Sequence, residues 1–197
     1  ARWFDLAELL GERLQRAGAE AGQPDPIELR LALAAVLETQ LHDASAAIDQ
    51  YQEVLASAHP EPAATALERL LADPDQRGRA AELLEPYYRR RDAWPRLVAL
   101  LEHQVPHQDD PESKIVALLE VSELHDVRGG DQARALDALA RAWQIEPARR
   151  DVFELLIAHG ARMGAWDELV AILERGQRRA VGGIEIEHRL PGAGRGR

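Results

Sequence analysis

Apolar residues recur along this chain at the three-and-four spacing of a helix. Leu29, Leu33, Val36 and Leu37 fall on one face, and so do Leu136, Leu139 and Trp143. Punctuation separates these stretches. Pro24, Pro26, Pro60, Pro62, Pro74, Pro111 and Pro147 fall where helices should start or stop. Asp73-Pro74 and Gly129-Gly130 mark turns. Together they predict ten helices, at 3–20, 27–41, 44–58, 62–72, 76–91, 94–104, 112–127, 131–145, 149–162 and 165–180. Pro86 lies inside the fifth and should kink or break it. In the tail, Ile184-Glu-Ile-Glu-His188 alternates as a strand would. The Gly- and Arg-rich residues 181–197 are otherwise expected to be disordered, outside an array at 1–180.

The helices repeat. Trp94-Pro-Arg-Leu-Val-Ala-Leu-Leu-Glu and Trp166-Asp-Glu-Leu-Val-Ala-Ile-Leu-Glu lie 72 residues apart, near twice 34, and Trp3-Phe-Asp-Leu-Ala-Glu-Leu-Leu is a third copy. Numbered from 1, the unit starting at Val116 has Gly130 at 15, Asp131 at 16, Ala135 at 20, Leu139 at 24, Ala142 at 27 and Pro147 at 32. The unit starting at Glu28 has Asp43 at 16, Ala47 at 20, Tyr51 at 24, Val54 at 27 and Pro60 at 33. Units starting at Gly78 and Arg150 have Asp92 and Gly164 at 15, and Trp94 and Trp166 at 17. This pattern resembles the tetratricopeptide repeat superfamily, in the degenerate form found in large bacterial proteins. A first-helix signature of Trp at 4, Leu-Gly at 7 and 8 and Tyr at 11 is poorly kept. The resemblance implies an all-α, right-handed α-solenoid of antiparallel helix pairs. Units begin at 28, 62, 78, 116 and 150, so the 16-residue step holds one helix and the 38-residue step four extra residues near His107. Trp3 would be position 17 of a unit begun before residue 1, so the chain reads as a fragment of a longer array.

Composition narrows the chemistry. Of 24 basic residues only Lys114 is lysine, an arginine bias that suggests a bacterial genome of high G+C content. Cysteine is absent, which excludes disulfides, thiol nucleophiles and thiolate metal sites. Net charge is −10, while residues 175–197 carry six Arg and two Glu. The acidic body repels phosphate backbones, which argues against nucleic acid as its partner. No apolar run approaches the length of a membrane span and no leader is visible, so a cytoplasmic location is expected.

Candidate catalytic groups are few. The doublets His42-Asp43 and His125-Asp126 resemble those of metal-dependent all-helical phosphohydrolases, but both fall near turns, where Asp serves as a helix cap. His103 and His107 have a zinc-compatible spacing interrupted by Pro106. There is no phosphate-binding glycine loop after a strand and no nucleophile elbow. No enzyme, cofactor or metal is expected.

The remaining candidates are for binding. Arg77, Arg79, Arg89, Arg90 and Arg91 surround Tyr87-Tyr88, a cluster that could stack bases or clamp an acidic peptide. The family resemblance implies that positions 5, 9, 12 and 13 face a concave groove. Position 5 of the last three units is Glu82, Glu120 and Glu154; position 13 is Arg90, Arg128 and Arg162. An acidic and a basic row would suit a peptide or helix carrying both charges. Inter-repeat ion pairing would explain the same pattern without a ligand. Chaperone-binding carboxylate clamps have Lys at 5 and Asn at 9. Here position 9 is Val36, Pro86, Leu124 or Ala158, so that partner class is excluded. The expected function is protein binding as a scaffold. Three rivals are self-association through Leu6, Leu10 and Leu14, the phosphohydrolase, and a regulatory domain of a transcription factor whose DNA contact is made elsewhere in a parent chain.

Overall fold

A computed structural model describes residues 2–17 and 25–187, with residues 179–187 as backbone only. Among these residues all regular structure is helical. The ten α-helices are α1 Arg2–Arg16, α2 Pro26–Thr39, α3 Ala44–Leu55, α4 Glu61–Leu70, α5 Arg77–Arg90, α6 Trp94–Gln104, α7 Pro111–Glu123, α8 Gln132–Ile145, α9 Arg150–Met163 and α10 Trp166–Glu187. A 3-10 turn, Val105–His107, follows α6, and a π turn, Leu124–Arg128, follows α7.

The helix boundaries have local causes. Asp25, Asp43, Asp110 and Asp131 cap the N-termini of α2, α3, α7 and α8, each accepting a backbone N–H at 2.9–3.0 Å. Pro26 and Pro111 open α2 and α7, where a missing N–H costs nothing. The four extra residues expected near His107 are taken up by the 3-10 turn and the Asp110 cap. The expected break at Pro86 does not occur, since α5 continues from Arg77 to Arg90. Leu84 on one side of the proline, and Tyr87 and Tyr88 on the other, are buried and hold both halves in register. The strand-like alternation at 184–188 does not make a strand among the described residues. Residues 184–187 belong to α10, so the structured part extends past residue 180; His188 and the rest of the tail lie outside the described residues.

Contacts divide the chain into two compact units, up to Ala93 and from Trp94 onward. In the first, α1 packs on α2, α2 on α3, α3 on α4 and α5, and α4 on α5. Its core holds Ala34, Ala47, Ile48, Val54, Ala63, Leu67 and Leu84. In the second, α6 packs on α7, α7 on α8, α8 on α9 and α10, and α9 on α10. Its core is centred on Ile115, Leu118, Val121, Leu136, Leu139 and Leu156. Ala47, Ala135 and Ala142 are fully buried, which lets helix axes approach closely.

One backbone feature keeps the repeat phase. Among the described residues, positive φ occurs at His42 (54°), Asp92 (53°), Gly130 (60°) and Gly164 (67°). Each is position 15 of its unit, despite the unequal steps between units. The left-handed residue reverses the chain after a first helix, as Gly164 does at the C-cap of α9. His42 and Asp92 bear the steric cost that glycine avoids. We therefore expect His42→Gly to stabilise the protein by about 0.5–1 kcal/mol. Thermal unfolding would show a Tm higher by about 1–4 °C. An unchanged Tm would mean that the imidazole itself offsets the backbone strain.

Candidate functional site

Ion pairs join helices at a spacing close to one repeat. Arg69 meets Glu38 at 3.2 Å, Arg91 meets Glu61 at 2.7 Å, Arg141 meets Glu102 at 2.7 Å, and Arg162 meets Asp126 at 2.8 Å. Arg79 pairs with Asp49, and Arg149 with Glu112. In all six the arginine lies 30–39 residues after its acid. Arg30–Glu53, at 3.6 Å, runs the other way and joins α2 to α3. Each exposed pair contributes little by itself. Collectively they explain why so much of the basic charge is spent inside the protein.

The six residues proposed to line a groove fall in both units. Glu82 and Arg90, on α5, are exposed in the first. In the second, Glu120 is half-buried on α7, Arg128 is exposed at the end of the π turn, and Glu154 and Arg162 are exposed on α9. Within α9 the charges are already engaged. Glu154 accepts Arg150 at 2.7 Å, and Arg162 bridges to Asp126. Arg128 also differs from Arg162 in its mounting. A π turn closes i→i+5 and admits an extra residue, as the Gly129 N–H to Leu124 carbonyl bond at 3.1 Å shows. Arg128 therefore leaves its helix at a different angle from Arg162, which sits on regular α-helix.

The π turn organises a cluster that the residue pattern alone does not reveal. His125 and His159 occupy position 10 of successive units, 34 residues apart, and both are buried. Trp94 stands edge-on to His125, with ring centroids 6.3 Å apart. Asp126 lies between α9 groups, 2.8 Å from Arg162 and 3.8 Å from His159. Arg162 Nη2 is 3.0–3.1 Å from both ring nitrogens of His159, so it faces the ring rather than one lone pair. Burial, reinforced by the Arg162 charge, holds the His159 imidazole below its ordinary pKa against the pull of Asp126. The cluster thus fastens α9 to the turn after α7. The 34-residue spacing of the two histidines was the signal available for it.

The second candidate patch is corrected. Tyr87 and Tyr88 are core residues and offer no stacking face. The Tyr88 hydroxyl donates to Glu68. Arg91 covers the Tyr87 ring at 5.3 Å while paired to Glu61, and Arg89 pairs with Glu85 at 2.9 Å. Arg77 donates to the Leu71 carbonyl at 3.0 Å, and Arg79 to Ser45 at 3.1 Å.

The histidine doublets separate in role. Asp43 is a helix cap beside exposed His42, whereas Asp126 is an ion-pair acceptor beside buried His125. The His103 and His107 rings are 5.4 Å apart. Among the described residues, no three His, Asp or Glu side chains gather as metal ligands. None of the described helices is long and apolar enough to cross a membrane. The residues expected to drive self-association, Leu6, Leu10 and Leu14, are half-buried; the exposed apolar residues of α1 are Trp3, Phe4 and Leu9.

No protein-family model matches this chain, and no curated protein or solved structure resembles it significantly.

Proposed function

We propose that this chain is a tetratricopeptide-type repeat protein, a right-handed α-solenoid of antiparallel helix pairs that binds another protein and performs no catalysis. The observation that carries the reading is the left-handed residue at position 15 of four units. A chance set of helical turns has no reason to keep that phase through steps of unequal length. Buried alanines at positions 20 and 27 of the Val116 unit support it, as does buried Ala47 at position 20 of the Glu28 unit.

The binding surface we assign is the first-helix charge set of the second unit: Glu120, Arg128, Glu154 and Arg162. Glu82 and Arg90, on α5, are the corresponding pair in the first unit, taken by itself. The ligand is a peptide or helix bearing both charges, read through complementarity rather than through a deep pocket.

The test is charge reversal. The chain and its Glu120→Arg/Arg128→Glu variant are immobilised side by side and exposed to lysate of the source cell, and bound proteins are identified by mass spectrometry. A partner captured by the wild type should fall about tenfold or more with the variant, since like charges then face each other. Equal capture by both would remove these residues from recognition. Circular dichroism checks that the variant remains helical.

A further inference from the structure

Helices α6 and α10 carry the same face in two different states. Trp94, Val98 and Leu101 of α6 correspond, 72 residues on, to Trp166, Val170 and Leu173 of α10. In α6 this side is covered. Val98 is 8% exposed, Leu101 4%, and Trp94 is half-buried. The helix packs against α7 and the π turn. There the Trp94 ring meets His125 edge-on and lies so close to Gly129 that a Cβ there would be 3.2 Å from the ring. In α10 the equivalent side is open: Trp166 is 54% exposed, Val170 is 53% exposed, and Leu173 is half-buried. The adjoining flanks of the two helices agree, with Leu97 and Leu100 as buried as Leu169 and Ile172. The molecule therefore contains its own template for what covers a Trp-x-x-x-Val-x-x-Leu face.

We infer that the Trp166–Val170–Leu173 side of α10 is a docking surface for an amphipathic helix supplied by another protein, built on the pattern of α7. That pattern places Ile115, Leu118 and Val121 on one stripe, with a glycine where the last turn crosses the tryptophan ring. Glycine fits there because a Cβ would lie 2.9 Å from the His125 carbonyl oxygen of the same turn as well as against the indole. The rim adds a charge preference. Asp167 and Glu168 follow Trp166 in the first turn of α10, so the end of the partner helix that meets them should be basic, as the π turn after α7 is at Arg128. A second copy of this chain does not fit the role. Its own α7 stripe is already buried, with Ile115, Leu118 and Val121 each at 1% exposure or less. This surface is separate from the charge set proposed above and does not depend on it.

The probe is a peptide of residues 110–131, cross-linked on its polar side to hold it helical and labelled for fluorescence anisotropy. It is titrated with the full chain, with Val170→Asp, and with Glu120→Arg/Arg128→Glu. Saturable binding is expected to the wild type and to the charge-reversed variant. Val170→Asp should weaken it about tenfold or more, because docking would bury the new carboxylate. Val170 is exposed, so this variant keeps its fold. Absence of saturable binding, or equal binding by Val170→Asp, would overturn the proposal. So would a wild-type dimer, seen by sedimentation, that Val170→Asp dissociates, since the face would then belong to a second copy.

Discussion

Leu139→Ala is expected to destabilise the protein by about 2–5 kcal/mol. Leu139 is fully buried in α8, which packs on α7, the π turn, α9 and α10. Its neighbours on the helix include Ala135, Ala138 and Ala142, all buried. These residues already bring the helices to close contact, so the walls cannot move inward to fill the space a leucine leaves. The cost should therefore include most of the cavity term as well as the lost transfer energy. Urea unfolding would show a lower midpoint with an unchanged slope. A loss below about 1 kcal/mol would mean that the site collapses, against the close packing described.

Gly176→Ala should destabilise by about 1–3 kcal/mol, although alanine is the better helix former. A Cβ at Gly176 would lie 2.4 Å from Trp143 Nε1 and 2.5 Å from its Cδ1. The indole has no easy retreat: it is buried, donates to the Leu173 carbonyl at 3.4 Å, and is backed by Phe153 at 5.8 Å between centroids. The overlap must be relieved by moving α10 away from α8. Gly11→Ala in α1 is the control, because no atom lies within 4 Å of its added Cβ. There the helix propensity gain should appear alone, about 0.5–1 kcal/mol of stabilisation. Opposite signs for one substitution at two helical glycines would locate the close contact at Gly176; equal signs would refute it.

Much of the helix layout was legible because the chain marks its boundaries with side chains of fixed local effect. Asp at the caps, Pro at first turns and apolar residues at helical spacing act within a few residues of themselves. The expected span 94–104 coincides with α6 for this reason. The failures have non-local causes. Pro86 is tolerated because buried residues on both sides hold α5 against its neighbours. The alternation at 184–187 yields to the helix continuing through it. Adjacent tyrosines point about 100° apart on a helix, so one would ordinarily face solvent. Tyr87 and Tyr88 are both buried because α5 packs on α3 as well as α4. The charge rows were found by phase, and phase gives a residue's place on its helix but not its counter-ion. That is why Arg162 could be nominated while its bond to Asp126 was not foreseen. The π turn had no local signal, since its i→i+5 bond competes with ordinary α-helix over the same residues.

The order of the long-spaced ion pairs has a consequence for how the protein is made. In six pairs the acid precedes its arginine by 30–39 residues. A chain grown from its N-terminus presents each carboxylate first, and the matching guanidinium emerges only as the next stretch of helix arrives. In these six pairs the later segment carries the fastener for the earlier one; Arg30, which precedes Glu53, is the reverse case. At the six, assembly can therefore follow translation step by step, with each addition secured by residues it brings itself.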